Sequence, residues 1–370
     1  MPLAQEPASR PTTPQFHRLT IAEVRRETPE AVSIAFAVPE ELAPSYRFQH
    51  GQHVTVKHPS EGLGVRRSYS ICSGLDDGEL RIAVKRQEGG VFSTFANERL
   101  KPGDMLEVMT PSGHFTAPLV PGASRLYLGI AAGSGITPLL SIIRTVLARE
   151  PKSRFVLLYG NRTTQSILFR EALEDLKDRF LGRLAVTHVL SREAQDVPAL
   201  SGRIDAEKLA LFLHGTAPAN QIDHAFLCGP AALIETAEET LLGMGMPKER
   251  LHVERFVVDG AVVPRPASPG PAPAPRTLVA EAEAMLDGIR HRFPIAEGET
   301  VIDAALAAGL ELPYSCRGGM CCTCRARLVE GEVAMDRNYS LEPWELEAGF
   351  VLTCQSHAKT KRIVLDYDQV

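Results

Sequence analysis

Four cysteines near the end of this 370-residue chain have a spacing that could hold a metal centre. Four residues separate Cys316 from Cys321, two separate Cys321 from Cys324, and Cys354 follows further along the chain. Thiolates are soft, anionic ligands, and this spacing is one of those that bind a [2Fe-2S] cluster. Because such a cluster carries one electron at a time, the sequence predicts one-electron chemistry at these cysteines.

A structural zinc site and a group of buried free cysteines are the alternatives to this cluster. Zinc ligands usually come as two Cys-x2-Cys pairs, whereas Cys354 stands alone. Cys322 lies between two of the predicted ligands and is interpreted as a small packed residue. Gly318 and Gly319 permit the close approach of backbone that a cluster requires. These features favour the cluster.

The surroundings of the cysteines resemble the ligand loops of plant-type ferredoxins. The resemblance is carried by residues 312–319 (LPYSCRGG) and 352–355 (LTCQ). It implies a β-grasp domain whose cluster has a potential of about −400 mV. Since this kind of cluster cannot accept a hydride, a flavin, which is stable in three redox states, is expected upstream.

One motif in the first third of the chain is a candidate for that flavin site. Residues 67–70 (RSYS) resemble the Arg-x-Tyr-Ser motif of the ferredoxin-NADP reductase family. The resemblance implies that Arg67 meets the flavin pyrophosphate, Tyr69 packs on the isoalloxazine and Ser70 hydrogen-bonds near the flavin N5. A guanidinium matches phosphate bidentately, and a phenol ring offers a flat stacking face. An ordinary strand that carries a tyrosine is the alternative.

A second candidate segment, 89–94 (GGVFST), resembles the pyrophosphate loop of the same family. In that loop, backbone N–H groups at a helix start receive the anion, and a glycine hairpin is the alternative. His53 occupies a strand beside the expected flavin, with a purely structural role as its alternative. The cofactor-binding residues predicted in this region, with FAD favoured over FMN, are His53, Arg67, Tyr69, Ser70, Val84, Lys85, Gly90, Val91, Phe92 and Ser93.

A glycine-rich segment marks the second part of the chain. Residues 129–138 (GIAAGSGITP) end an apolar strand and begin a helix, where glycines let the backbone approach a dinucleotide pyrophosphate and the helix N-terminus favours its charge. This is the reductase family's variant of Gly-x-Gly-x-x-Gly, and a plain strand-to-helix turn is the alternative. The cofactor-binding residues predicted in this part are Gly133, Gly135, Thr137, Pro138, Arg162, Ser191, Arg192, Cys228, Gly229, Pro230 and Phe256.

The predicted catalytic residues are Ser70, Cys228 and Glu254. Cys228 ends a strand at the edge where doubly wound folds bind ligands. The family resemblance implies that it lies near the reactive C4 of nicotinamide, with Glu254 near the nicotinamide and Phe256 beside the flavin. A buried cysteine with only a packing role is the alternative for Cys228.

The choice between NADPH and NADH depends on the residues that meet the 2′-position of the ribose. Arg162 follows the second strand, Ser191 and Arg192 follow the third, and no acidic residue follows the second. Cations and hydroxyls there favour a 2′-phosphate. The sequence therefore predicts NADPH, with NADH and solvated surface arginines as the alternatives.

These motifs are distributed over several predicted domains. From 16 to 121, short β-branched runs separated by Gly, Pro and Asp predict an antiparallel β-barrel that binds FAD. From 122 to 260, apolar strands alternate with amphipathic helices and predict a doubly wound α/β domain that binds the nicotinamide dinucleotide. Residues 1–15 are a predicted flexible tail, 261–275 a predicted stiff proline-rich linker, and 276–370 the predicted β-grasp ferredoxin domain.

The predicted secondary structure of the α/β domain can be tested element by element. Its five strands are placed at 126–131, 155–159, 184–190, 224–228 and 252–256, and its four helices at 138–149, 165–180, 205–213 and 231–244.

Composition excludes several other functions. The net charge of −5 leaves no basic surface typical of nucleic-acid binding, and no apolar run is long enough to cross a membrane. Residues 1–15 are proline-rich and polar, without a hydrophobic signal core. Seven cysteines, four of them within residues 316–324, suit metal binding in a reducing compartment better than disulfides. We therefore expect a cytoplasmic protein without nucleic-acid or membrane partners.

Nearly the whole chain resembles the reductase subunits of phenylacetyl-CoA ring epoxidase systems, which act in aerobic phenylacetate degradation. The order of the three domains carries the resemblance, and two departures are His50, where a proline or similar residue is expected, and the doublet Cys321–Cys322. Further matching segments are 46–48 (YRF), 112–115 (SGHF), 159–163 (YGNRT), 202–205 (GRID) and 338–343 (NYSLEP).

This resemblance implies a path in which NADPH gives a hydride to FAD and electrons then pass singly through the cluster to a di-iron oxygenase. A reductase for a Rieske-type or steroid ring-hydroxylating oxygenase is one alternative. A pure electron carrier or binding module without nicotinamide chemistry is another, and the intact 129–138 segment argues against it.

Overall fold

The computed structural model of the protein describes residues 14–59, 65–256 and 277–369. These residues belong to two compact units, an N-terminal unit that begins at Phe16 and ends before the 257–276 gap, and a C-terminal unit of residues 277–369. The predicted linker, 261–275, and residues 1–13 of the predicted tail lie outside the described residues. The exact domain boundaries stay predictions.

The first sheet of the N-terminal unit is antiparallel, with strand order β4-β3-β6-β1-β2-β5. An isolated bridge between Ile71 and Ile82 joins the end of β4 to β5, so the sheet curls towards a barrel. Its inward positions carry apolar side chains such as Leu19, Val54 and Val108. Its strands are β1 (Phe16–Thr28), β2 (Ala31–Ala37), β3 (His53–Lys57), β4 (Arg66–Ser70), β5 (Leu80–Lys85) and β6 (Met105–Met109), and helix α1 (Val91–Glu98) follows β5.

The second sheet of this unit is parallel and has the order β11-β10-β7-β8-β9. Its strands are almost continuously apolar because helices cover both faces. The strands are β7 (Leu126–Ala132), β8 (Arg154–Asn161), β9 (Leu184–Leu190), β10 (His224–Gly229) and β11 (Leu251–Arg255), and the helices are α2 (Ile136–Arg149), α3 (Arg170–Arg179), α4 (Ala206–Gly215) and α5 (Ala231–Gly243).

The start of α3 differs from the prediction of a helix over 165–180. Thr163 and Ser166 cap each other's backbone in a short 3-10 turn, and Phe169 then adopts a left-handed φ of 60°. A left-handed residue interrupts the helical path, so the α-helix begins only at Arg170.

The C-terminal unit has a mixed sheet of order β13-β12-β18-β14-β16, a small β15-β17 ribbon and a helix packed on the sheet. Its core contains Phe293, Ile302 and Leu365, and the Thr300 hydroxyl caps the packed helix by accepting the Asp303 N–H at 3.2 Å. The strands are β12 (Leu278–Leu286), β13 (Ile289–Ala296), β14 (Arg325–Glu330), β15 (Val333–Met335), β16 (Phe350–Leu352), β17 (Ser356–Ala358) and β18 (Arg362–Asp366), and the helices are α6 (Val301–Ala307) and α7 (Pro343–Glu347).

The three fold classes predicted from the sequence are therefore confirmed: an antiparallel barrel-like sheet, a doubly wound α/β layer and a β-grasp domain. None of the helices that the structure describes has the length and apolar character needed to cross a membrane.

Candidate functional site

The four cysteines predicted as ligands converge in the C-terminal unit as two facing pairs. Cys316, Cys321 and Cys324 lie on the loop before β14, and Cys354 follows β16. A hydrogen bond with Cys321 raises the pKa of the Cys316 thiol, and one with Cys354 raises that of Cys324. The same bond from Cys324 lowers the pKa of Cys354. The four sulfurs are thus close enough to influence one another electrostatically.

This arrangement fits a two-iron cluster better than a single metal ion. Within the described residues, no three ligating side chains are arranged to hold one ion. A [2Fe-2S] cluster instead divides its four thiolates between two irons, and the pairs Cys316–Cys321 and Cys324–Cys354 are compatible with that division. The residues present therefore fit the group that the spacing predicted.

N–H groups surround the sulfurs and would stabilise thiolate charge. The backbone N–H groups of Gly318 and Met320 both lie 3.4 Å from the Cys316 sulfur, and the Gln355 amide nitrogen lies 3.7 Å from that of Cys354. Gly319 has φ 76°, and a Cβ there would lie 2.9 Å from the carbonyl oxygen of Arg337. Donors of this kind orient ligands and adjust their electron density.

Two non-glycine residues on the cluster loop have left-handed backbone conformations. Arg317 has φ 51° and forms an ion pair with Asp303, while Cys322 has φ 53°. The Cys322 thiol donates to the Ser340 carbonyl at 3.3 Å, so this cysteine is held by the neighbouring segment. Such conformations cost of order 1–3 kcal/mol each and persist where surrounding structure fixes them.

The predicted flavin residues line two strands and the start of α1. His53 pairs with Ser70, and Val56 with Arg67, across β3 and β4. His53 is buried, with its Nε2 3.3 Å from the Ser112 hydroxyl. Arg67 is half-buried, and its Nη1 donates to the carbonyl of Arg66 at 2.9 Å.

The 90–93 segment forms a tight turn that begins α1. The Ser93 hydroxyl accepts the Gln87 N–H at 3.1 Å and donates to the Gly90 carbonyl at 3.3 Å. Phe92 is buried with its ring centroid 5.5 Å from that of Tyr69, and Val91 is exposed. The structure thus brings Tyr69 beside this turn. Val84 lies buried in the adjoining strand, where its carbonyl accepts the Asn97 amide at 3.1 Å.

The three predicted catalytic residues come together where the two sheets of the N-terminal unit meet. The Ser70 hydroxyl, at the end of β4, donates to Glu254 Oε2 at 2.9 Å. Glu254 on β11 is the register partner of Cys228 on β10. Burial raises the pKa of the Cys228 thiol well above its usual value, and the Glu254 charge adds to this effect. Cys228 is therefore a neutral thiol at the carboxyl edge of the parallel sheet.

The glycine-rich segment packs directly behind Cys228. A Cβ on Gly135 would lie 2.0 Å from the Cys228 carbonyl oxygen, so only glycine allows α2 to start here. The Thr137 hydroxyl donates to the Ser134 carbonyl at 2.8 Å, and Pro138 is buried in the first turn of α2. The start of α2 is thereby held against the end of β10.

Lys85 approaches the glycine-rich segment, and the charge of Arg162 lies close enough to Lys85 to act on it. The Lys85 amine, at the end of β5, lies 3.9 Å from the position a Cβ would take on Gly133. Burial lowers the pKa of Lys85, and the nearby charge of Arg162 lowers it further. An anion bound at this segment would relieve that repulsion, so the site fits a phosphate-bearing dinucleotide.

The residues predicted to meet the 2′-position lie together on one edge. The Ser191 N–H donates to the carbonyl of Asn161 at 2.9 Å, and the Arg192 N–H to that of Arg162 at 2.8 Å. The side chains of Arg162, Ser191 and Arg192 are exposed there. Sequence reasoning overlooked Glu193, whose carboxylate accepts the N–H and hydroxyl of Thr164 at 2.8 and 2.6 Å; these bonds lower the pKa of Glu193.

Of the other predicted residues, Gly229 and Phe256 pack against neighbouring residues, whereas Pro230 is exposed. A Cβ on Gly229 would lie 3.2 Å from the Ala132 nitrogen, and the exposed Pro230 precedes α5. Phe256 is partly buried against the core cluster that includes residues of α2. His50, the departure from the expected proline, is buried with its Nε2 3.1 Å from the Thr116 hydroxyl, and burial lowers its pKa to about 4.

Three family models match successive parts of the chain. Residues 19–117 match the oxidoreductase FAD-binding domain, residues 130–239 the oxidoreductase NAD-binding domain, and residues 284–359 the 2Fe-2S iron-sulfur cluster binding domain. A component of the 1,2-phenylacetyl-CoA epoxidase of Escherichia coli K12 is 47% identical over 358 residues, which cover 95% of this chain and 98% of that protein. The chain belongs to the flavin- and iron–sulfur-dependent oxygenase reductases.

Other members of this reductase family match over similar lengths. The ferredoxin reductase component of the 3-ketosteroid-9-alpha-monooxygenase of Mycobacterium tuberculosis is 36% identical, covering 95% of this chain and 96% of that protein. Among solved structures, phthalate dioxygenase reductase has a TM-score of 0.59 and 26% identity, covering 95% of this chain and 98% of that chain. The predicted FAD, nicotinamide dinucleotide and [2Fe-2S] cluster are therefore confirmed as the cofactors of this reductase.

Proposed function

We propose that this reductase takes electrons from NADPH and passes them through FAD and the [2Fe-2S] cluster to a di-iron oxygenase, the phenylacetyl-CoA ring 1,2-epoxidase of aerobic phenylacetate degradation. The observation that carries this proposal is the 47% identity to the component of the Escherichia coli epoxidase over nearly the full length of both chains. Identity to the steroid-hydroxylase reductase is lower, at 36%, over a similar length.

The residues of the N-terminal unit support the nicotinamide half of this reaction. A bound flavin supplies the conversion between two-electron and one-electron chemistry. Ser70 and Glu254, joined by their 2.9 Å hydrogen bond, would orient the reacting rings, and the neutral Cys228 would pack against the nicotinamide. Lys85 would hold a phosphate over the glycine-rich segment. The protein's role in this proposal is positioning rather than acid–base catalysis.

The preference for NADPH is supported by the edge that contains Arg162, Ser191 and Arg192. The carboxylate of Glu193, which lies on that edge, already accepts hydrogen bonds from the N–H and hydroxyl of Thr164. An arginine that binds a 2′-phosphate contributes about 1.5–3 kcal/mol, which corresponds to roughly 10- to 100-fold in kcat/KM. NADH lacks that phosphate and would gain none of this energy.

Steady-state kinetics with both dinucleotides would test the preference. The kcat/KM for NADPH should exceed that for NADH, and Arg162→Ala should lower only the NADPH value. Arg170→Ala is the control, because Arg170 is an exposed arginine of the same unit that pairs with Glu174. Equal losses for both dinucleotides in Arg162→Ala, or a wild-type preference for NADH, would contradict the proposal.

Reconstitution would test the oxygenase partner. The purified reductase, NADPH and the epoxidase oxygenase subunits should convert phenylacetyl-CoA to its ring epoxide at a rate that depends on reductase concentration. A steroid-hydroxylating and a Rieske-type oxygenase, each with its own substrate, are the comparison partners. Turnover with either of these but not with the epoxidase would overturn the assignment and support the second candidate function.

The order of electron transfer can be tested separately. Cys324→Ser removes a cluster ligand, so oxygenase turnover should disappear while NADPH-driven ferricyanide reduction continues largely unchanged. Loss of both activities would contradict a path in which the cluster lies after the flavin. We place this reaction in the cytoplasm, because NADPH and thiolate-bound clusters are typical of a reducing compartment.

A further inference from the structure

A short segment of the C-terminal unit lies directly against the cluster loop. The Tyr339 N–H donates to the Gly319 carbonyl at 3.0 Å, and the Ser340 hydroxyl donates to the same carbonyl at 3.1 Å. From the loop side, the Cys322 thiol donates to the Ser340 carbonyl at 3.3 Å. Residues 339–346 are therefore attached to the loop that carries three of the four ligands.

This segment exposes large apolar side chains. Tyr339 is 50% exposed, Trp344 is 58% exposed and Leu346 is 43% exposed. Trp344 is also the single tryptophan of the chain. Exposed apolar side chains that share one short segment are candidates for an interaction site, and tryptophan and tyrosine are enriched among the residues that dominate binding energy. We name Tyr339, Trp344 and Leu346 the aromatic surface.

The aromatic surface has a rigid support. The Glu345 side chain of helix α7 is buried and forms an ion pair with Arg325. Arg325 directly follows the ligand Cys324. The Trp344 ring packs edge-on against Phe350 with centroids 6.5 Å apart. A side chain that a neighbour already holds, as Phe350 holds Trp344, binds a partner at a lower entropic cost than a mobile one.

The charges beside the aromatic surface indicate the chemistry of its partner. Glu342 and Glu347 are exposed on either side of Trp344, whereas the charge of Glu345 is balanced by Arg325. The exposed Arg337 adds one positive charge at the Tyr339 end, but the rim beside Trp344 is acidic. It is complementary to an apolar recess bordered by lysine or arginine on another protein.

We propose that the aromatic surface is the docking site for the oxygenase component that accepts electrons from the cluster. This inference rests on the proposed function. The acceptor must approach the cluster, and Tyr339 and Ser340 are bonded to the cluster loop itself. Three side chains with an acidic rim form a small contact, as expected for short-lived electron-transfer complexes, which bury less than about 1,200 Å².

Steady-state turnover with the oxygenase component as the varied partner would test this site. Trp344→Ala and Leu346→Ser should each raise the KM for the oxygenase component by about tenfold or more, with little change in kcat. The controls are Val329→Ala and Ile289→Ser, because both residues are 59% exposed on the same unit but lie outside the 339–346 segment. The controls should keep the wild-type KM.

Two further measurements separate docking from damage to the reductase. The visible absorbance of the cluster and the rate of NADPH-driven ferricyanide reduction should be unchanged in both variants. Glu347→Lys should also raise the KM, and this effect should weaken as salt is added, because exposed charges are screened.

Several outcomes would overturn the inference. A wild-type KM in both Trp344→Ala and Leu346→Ser would exclude the aromatic surface as the docking site. Slower reduction of the cluster by NADPH without any oxygenase would instead assign the surface to the chain's own flavin-binding unit.

The comparison oxygenases distinguish failure of the proposed function from failure of the docking inference. If the wild-type chain supports a different oxygenase, only the named partner is refuted, and the variants are assayed with the oxygenase that works. If it supports none, the proposed function fails and the docking inference fails with it.

Discussion

Substitution of Arg325 by methionine tests how the cluster loop is held. Arg325 follows the ligand Cys324, its side chain is only 8% exposed, and it forms an ion pair with Glu345, whose side chain is fully buried. The Glu345 Oε2 atom also accepts the Glu342 N–H at 2.8 Å, and the Arg325 guanidinium lies 4.6 Å from the Phe350 ring centroid. Arg325→Met keeps much of the side-chain length but leaves a carboxylate buried without its cation.

The expected loss is large for a unit of this size. Removing one partner from a buried ion pair costs about 3–5 kcal/mol, since the remaining buried charge loses its opposite charge. Domains are stable by only about 5–15 kcal/mol, so this loss is a substantial fraction of the whole. For a domain of about 100 residues, it corresponds to a decrease in melting temperature on the order of 15–30 °C.

The assay is the temperature at which the visible absorbance of the cluster bleaches, at one fixed heating rate because cluster loss is irreversible. Arg290→Met is the matched control. Arg290 is 65% exposed and is one of several arginines around the buried Glu283, so its loss should cost less than about 1 kcal/mol.

A double variant distinguishes loss of charge balance from loss of packing. Arg325→Met with Glu345→Met removes both charges and should regain more than half of the lost melting temperature, because no buried charge remains unpaired. Bleaching of Arg325→Met within a few degrees of the Arg290→Met control would refute this account of the loop.

Three further predictions concern the N-terminal unit. Ser70→Ala should slow flavin reduction by NADPH about 10- to 100-fold in stopped flow, because Glu254 loses a charge-assisted hydrogen bond; an unchanged rate would count against this role. Lys85→Met should raise the KM for NADPH about tenfold through loss of a phosphate-facing cation, and a wild-type KM would argue against it. Burial, with His224, lowers the pKa of His252 to about 4, below its usual 6.5. Burial of neutral His252 therefore costs no stability above pH 6.5. As pH falls towards 4, protonation of this histidine in the unfolded chain lowers the free energy of unfolding, by roughly 2 kcal/mol at pH 5. Urea unfolding at pH 7 and 5 should show this loss in the wild type and a smaller one in His252→Asn; identical losses would be inconsistent with the assignment.

Much of the fold could be predicted because apolar periodicity is a local property of the sequence. Strand β9 has the predicted bounds, and the other strands of the parallel sheet differ by one or two residues at their ends. The start of α3 could not be predicted in this way. Phe169 adopts a left-handed conformation that its residue type does not favour, so only the surrounding packing could fix it.

The candidate site also contains a local part, which the sequence predicts, and a long-range part, which it does not. The spacing of Cys316, Cys321 and Cys324 is local and indicates a cluster without any structure. The hydrogen bond from Ser70 to Glu254 joins residues 184 positions apart, and only a family resemblance suggested that they act together. Long-range pairs of this kind have no periodic or spacing signal in a single sequence.

The two faces of α7 connect the stability of the cluster loop with the docking surface. Glu345 points inward to Arg325, while Trp344 and Leu346 are exposed on the two flanks of the helix, so the buried ion pair sets the position of the exposed side chains. Arg325→Met should therefore raise the KM for the oxygenase component even at temperatures where its cluster is intact. Trp344→Ala should raise the same KM without lowering the bleaching temperature appreciably. If Arg325→Met changed only the bleaching temperature, the ion pair would hold the ligand loop but would not position the aromatic surface.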